Sequence, residues 1–151
     1  MRRMLLLTAA LTAIPLTAAL AQAPAGLTPE QIVAARQSAY LLSAGNLAGI
    51  KGVIDGGGDL KGIAFPARAL ARWARTLPAM FPEGSNVPPT HAKAEVWSDR
   101  AGFEARAQAY AAAATRLAEL APGGDRAAIT AQFDALRGTC QACHEQYRGE
   151  H

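Results

Sequence analysis

Val96, Phe103, Tyr110 and Leu117 recur every seven residues, with Ala107, Ala114 and Ala121 on the adjoining line. Seven residues are two helical turns, so this stretch reads as a helix packed at a shallow angle against others of its kind. Three further stretches share the habit. One opens at Thr28-Pro29-Glu30-Gln31, an N-cap followed by proline at the first helical position and glutamine at the third. Its expected apolar stripe runs through Ile32, Ala35, Ala39 and Leu42, and helix continues past Leu47 and Ile50 until Gly56-Gly57-Gly58 stops it. The next opens at Asp59 and carries Leu60, Ile63, Ala67, Leu70, Ala74 and Leu77 before Pro78 and Pro82. The longest irregular connection follows, with Pro82, Gly84, Pro88 and Pro89, and the third helix begins between Thr90 and Asp99. After Pro122-Gly123-Gly124, the last helix opens at Asp125 and steps through Ile129, Phe133, Leu136, Cys140, Cys143 and Tyr147. The fold class is all-α, an antiparallel up-down-up-down four-helix bundle. A helical repeat array needs self-similarity between segments, and these have none.

The first residues stand apart from this pattern. Met1-Arg2-Arg3 is positive, Met4 to Leu20 is almost wholly apolar with one break at Pro15, and Ala19-Leu20-Ala21 is a small-x-small site. That layout is expected of a secretory signal peptide over residues 1–21, with the folded domain spanning 22–151. A membrane anchor is the alternative, disfavoured by the short stretch, its proline and the cleavable site. Removing 21 of 151 residues takes two of the fifteen basic residues and none of the twelve acidic ones, so the formal charge falls from +3 to +1. No basic cluster with interleaved aromatics remains, which leaves nucleic-acid binding without support. Nothing else in the chain reads as a membrane segment. The expected location is the periplasm.

Both cysteines of the chain lie in "GTCQACHEQYR", three apart on the core-facing stripe of the fourth helix, with His144 one turn on from Cys140. Covalent haem attachment uses this pattern: two thiols add across the porphyrin's two vinyl groups, and the next histidine binds iron. Zinc is a poorer account, because His91, His144 and His151 are the only histidines and no second ligand pair exists. A thioredoxin-like pair needs a βαβ context that this chain lacks. A disulfide one turn apart would strain the helix and leave His144 without a role.

Three segments extend the likeness beyond the haem motif. Ala35-Arg36-Gln37-Ser38-Ala39 in the first helix, Ala92-Lys93-Ala94-Glu95-Val96-Trp97-Ser98-Asp99 before the third, and Cys140-Gln141-Ala142-Cys143-His144-Glu145-Gln146-Tyr147-Arg148 at the end together resemble the cytochromes c′. The four-helix bundle is itself an attribute of that family. The resemblance implies one covalently bound haem c per chain, held by Cys140 and Cys143, with His144 as the sole protein ligand to a five-coordinate, high-spin iron. It places Tyr40 against the opposite, distal face of the haem, where many relatives have an aliphatic residue; a volume-filling core aromatic is the simpler reading of the same position. It pairs Arg36 with a haem propionate, against the alternative of a solvated arginine, and puts Arg148 over the proximal face, against that of a cation favoured by the helix dipole. Low-spin relatives carry a methionine in the first helix as sixth ligand; between Gln22 and Gly58 there is none, and Met80 lies in the connection.

An open iron position among apolar side chains, with no obvious distal hydrogen-bond donor, favours NO and CO over polar bound O2. The resemblance points the same way, towards an NO-binding or NO-detoxifying haemoprotein. Electron transfer to or from a redox partner protein in a respiratory or photosynthetic chain is the alternative. An enzyme is disfavoured, because no distal His-Arg constellation is present. Relatives are commonly homodimers through the first two helices, and the same assembly is expected here.

Overall fold

The computed structural model describes residues 26–150; the expected signal peptide lies outside them. Four long helices and one short turn of helix carry the chain: α1 (Pro29–Asp55), α2 (Ala64–Thr76), α3 (Glu95–Ser98), α4 (Arg100–Leu120) and α5 (Arg126–Tyr147). They form the four-helix bundle expected from the sequence, with α3 as a single turn before α4. No helix among the described residues is long and apolar enough to cross a membrane.

The helix starts follow local chemistry. Thr28 caps α1 with a full capping box: its hydroxyl accepts from the Gln31 amide while the Gln31 side chain accepts from the Thr28 amide. Asp125 caps α5 by accepting from the Ala128 amide. One start differs from expectation. Asp59 caps a 3-10 turn, Leu60–Ile63, and α2 proper begins at Ala64. The third long helix starts after Asp99, whose carboxylate accepts from the Gly102 amide. Gly124, at φ 69°, reverses the chain between α4 and α5 in a left-handed conformation that glycine adopts without strain.

Side chains bury themselves in two separate groups. One end of the bundle is aliphatic, built from Ile50, Ile54, Leu60, Ile63, Leu70, Leu117, Ile129 and Leu136 with Phe133. The other is aromatic, built from Leu77, Phe81, Val96, Phe103, Ala107 and Tyr147, with Trp73, Trp97 and Cys143 packed against it. Phe103 sits edge-on to both Phe81 and Tyr147, at 5.1 and 5.3 Å between ring centroids.

The buried stripe of α1 is not the one its apolar residues suggest. Val33, Arg36, Ile50 and Ile54 are its buried residues, whereas Leu42 is 73% exposed. The inward line runs Val33, Arg36, Tyr40, Ser43, Leu47, Ile50, Ile54 in alternating steps of three and four, so polar side chains hold positions that hydrophobicity alone assigns elsewhere. No residue from 37 to 49 is buried. The middle of α1 is not part of a packed core.

Candidate functional site

The inward stripe of α5 has a matching interruption. Ile129, Phe133, Leu136 and Tyr147 are buried, but Cys140 and Cys143, in the same register, are only partly covered. The two thiols are free, not joined in a disulfide. Burial pushes both up, and for Cys143 the neighbouring Cys140 adds to the effect while Arg106 opposes it. His144 follows on the same turn with an exposed side chain. Its pKa is lowered first by burial and then by Arg148, which favours the neutral imidazole that a metal requires. Among the described residues no three His, Cys, Asp or Glu gather as a protein-only metal site.

Tyr40 of α1 is an electrostatic neighbour of this turn. It is 36% exposed, with its ring edge-to-face on Trp73 at 5.5 Å. Burial raises its phenol pKa, with Cys143 as the next cause, so the two residues share one electrostatic neighbourhood. The phenol is therefore neutral at physiological pH. Tyr110 of α4 was expected as packing alone, yet it neighbours the first thiol: burial, then Cys140, raises its pKa, while a hydrogen bond with Ser43 of α1 lowers it. Tyr110 and Trp73 thus join the site through the packing of helices, which their spacing in the chain does not reveal.

Arg36, which the resemblance pairs with a propionate, has protein partners of its own. It is 2% exposed, and its two terminal nitrogens donate to the Met80 carbonyl (3.3 Å), the Ser85 hydroxyl (3.0 Å), the Ser85 carbonyl (3.0 Å) and the Thr90 hydroxyl (2.6 Å). The guanidinium carbon lies 4.2 Å from the centre of the Phe81 ring. The structure thus ties Arg36 to the connection between α2 and α3. Every one of these acceptors is neutral, so the buried positive charge has no carboxylate among its hydrogen-bond partners.

The residues present fit a haem on three counts. Two in-register, partly covered thiols lie in the electrostatic neighbourhood of Tyr40 and Tyr110. The Trp73 Nε1–H beside Tyr40 is buried without a hydrogen-bond partner. The Arg36 charge, one turn from Tyr40, is uncompensated by any acid in its bonding shell.

The family model described as Cytochrome C′ matches residues 31–148. The chain belongs to the cytochrome c′ family. It is 38% identical to the cytochrome c′ of Pararhodospirillum photometricum over 123 residues, which are 80% of this chain and 98% of that one. It is 44% identical to that of Rhodospirillum rubrum over 85 residues, 56% of this chain and 58% of that relative. Among solved structures, a cytochrome c′ described as having an unusual ligand-controlled dimer dissociation matches with a TM-score of 0.77 at 29% identity, covering 83% of this chain and all of the other. A nitric oxide complex of an Alcaligenes xylosoxidans cytochrome c′ variant matches with a TM-score of 0.76 at 29% identity, covering 84% and 100%. A carbon monoxide complex of another variant from that source matches at 0.74 and 30% identity, covering 82% and 98%. The family binds c-type haem.

Proposed function

We propose that this cytochrome c′ is an exported, periplasmic haemoprotein that binds NO and CO at a five-coordinate iron and acts as a ligand-binding protein rather than an enzyme. The observation that carries the reading is the pair of interrupted stripes, Tyr40 and Ser43 on α1 facing Cys140 and Cys143 on α5. Nitric oxide and carbon monoxide complexes among its structural neighbours support it. The leader-like residues 1–21 support export.

In this reading Cys140 and Cys143 would hold one haem c per chain through two thioether bonds, and His144, kept neutral, would offer its imidazole nitrogen to the iron; the group would supply an open metal position for a diatomic gas. Tyr40 closes the distal side, and its neutral phenol does not compete for iron as a tyrosinate would. Arg36 provides positive potential for a haem carboxylate without surrendering its bonds to the connection, and Arg148 borders the proximal face beside His144.

The visible spectrum of the purified protein, with and without NO, tests this reading. A five-coordinate high-spin ferrous spectrum that changes on NO addition is expected; a six-coordinate low-spin spectrum at neutral pH would overturn it. Tyr40→Ala is expected to raise CO affinity by about tenfold, the scale of a single lost side-chain constraint of ~1.4 kcal/mol.

Electron transfer is the second reading, favoured by one observation: Cys140 and Cys143 are partly exposed, which leaves the attachment edge near the surface for a redox partner. Homodimer formation is supported by the outward-facing Leu41 and Leu42 of α1 and Phe65 of α2, each at least 73% exposed. Sedimentation with and without CO reads this out directly.

A further inference from the structure

His144 lies in the last turn of the C-terminal helix. Helix ends leave carbonyls without intrahelical partners and fray, yet an axial ligand has to hold its imidazole in one place. The helical bonding of α5 ends with the Arg148 amide donating to the His144 carbonyl at 3.0 Å. Several outside contacts hold this turn. The Tyr147 hydroxyl donates to Asp99 at 2.7 Å. Beyond it, the tail pairs with the end of the connection: Ala92 and Arg148 form an antiparallel bridge, the Gly149 amide donates to the His91 carbonyl at 2.7 Å, and the Lys93 amide donates to the Tyr147 carbonyl at 3.0 Å. The Lys93 ammonium also donates to the Glu145 carbonyl at 2.9 Å, satisfying another end of the helix.

The connection that grips the tail is itself gripped from α1. The Thr90 hydroxyl accepts from Arg36 at 2.6 Å and from the Ala92 amide at 3.1 Å. Gln37 donates to the Pro89 carbonyl at 2.9 Å. One short segment, 90–93, therefore touches the helix that bears Tyr40 on one side and the turn that bears His144 on the other.

We propose that Thr90 is a positioning residue for the axial ligand: by joining Arg36 to the segment that pairs with residues 147–149, it keeps the last turn of α5 and its His144 in a single geometry. The inference rests on the reading of His144 as the iron ligand. It adds that the connection carries mechanical restraint from the distal helix to the proximal ligand.

The test uses full-length ferrous holoprotein in three variants. Thr90→Val removes the acceptor shared by Arg36 and Ala92. Gly149→Pro removes the tail's donor to His91 and, because the ring Cδ takes the place of that hydrogen, pushes the tail off the His91 carbonyl; Arg148, at φ −116° and ψ 128°, already has the backbone that a residue before proline prefers, and a Cβ on Gly149 meets nothing nearer than 3.5 Å. Thr90→Ser keeps the hydroxyl. The iron–histidine stretching band in resonance Raman is expected to shift to lower frequency and broaden in Thr90→Val and Gly149→Pro. Exchange of the Arg148 and Lys93 amides should accelerate about tenfold in both, as expected for the loss of roughly one hydrogen bond. Thr90→Ser should match the parent in both measurements. If Thr90→Val does not fold, Gly149→Pro decides alone. Faster tail exchange with an unmoved, unbroadened band would overturn the proposal, because the tail would be loose while His144 stayed fixed. Absence of an iron–histidine band in the parent would instead overturn the ligand assignment itself.

Discussion

The two ends of the bundle are held by different physics. At the aliphatic end, Ile50, Ile63, Leu117, Ile129 and Leu136 are buried to within 1% of completely, and the joints between helices are short turns. Its longest-range polar contribution among the described residues is Arg126, whose guanidinium donates to the carbonyls of Ile54 (2.6 Å) and Gly58 (2.9 Å) and so caps the C-terminal end of α1. At the aromatic end, Arg36, Arg100, Trp97 and Lys93 each donate to carbonyls of other segments, and rings fill the space between them. The first end depends on excluded water and close packing. The second depends on hydrogen bonds that hold a long connection against two helices, and that is the end at which His144 sits.

The largest effect should come from cutting the aliphatic end. Leu136→Ala is expected to cost ~3 kcal/mol of stability by leaving a cavity among fully buried neighbours. Denaturant titration should show nearly the same loss with and without haem; a strong dependence on haem would break the distinction between the ends. At the aromatic end, Gly102→Ala is the sharper probe. A Cβ there would lie 2.3 Å from Asp99 Oδ2 and 2.5 Å from the Tyr147 hydroxyl. It must push that pair apart, at a cost of about 2 kcal/mol, and the loss should be accompanied by a change in the iron–histidine band that Leu136→Ala does not produce.

A smaller effect separates the same contact by pH. Burial, then the Asp99 hydrogen bond, pushes the Tyr147 phenol up to about 12, whereas an unfolded tyrosine titrates near ~10. A raised folded pKa means that the unfolded chain loses its proton first. The stabilisation is therefore complete below about pH 10 and is lost as pH rises from there through about 12. Tyr147→Phe should cost ~1 kcal/mol at neutral pH and make the alkaline decline of stability shallower. An unchanged alkaline profile would remove Tyr147 from the account. At the bottom of the scale, Lys51→Met removes an exposed pair with Asp55 one turn on; a change below ~0.5 kcal/mol is expected. Thermal melts at low and high salt check it.

The helices and the caps at Thr28 and Asp125 were legible because each depends on residues close together in the chain. Cys140, Cys143 and His144 could be read as one unit for the same reason. The inward face of α1 was not. A hydrophobic stripe predicts Ile32, Ala35, Ala39 and Leu42, but the fold turns Arg36, Tyr40 and Ser43 inward and leaves Leu41 and Leu42 facing out. Arg36's acceptors at Ser85 and Thr90 are 49 and 54 residues away, beyond any local rule. Trp73 and Tyr110 became part of the site only through the way α2 and α4 pack. Asp99 showed the opposite pattern: its cap was within reach of sequence, but its second partner, Tyr147, was not.

The unburied span of α1 has a mechanical consequence. The helix is supported like a beam at two points, by Arg36 in the connection and by Ile50 in the aliphatic end, with nothing buried in the span between. Gly45 and Gly49 lie in that span with no atom within 4 Å of the place a Cβ would take, so neither is needed for close packing and both lower the stiffness of the helix. A beam yields most where it is least supported. Tyr40 rides on that span, so the part of the helix that bears it can give way while both of its anchorages stay in place.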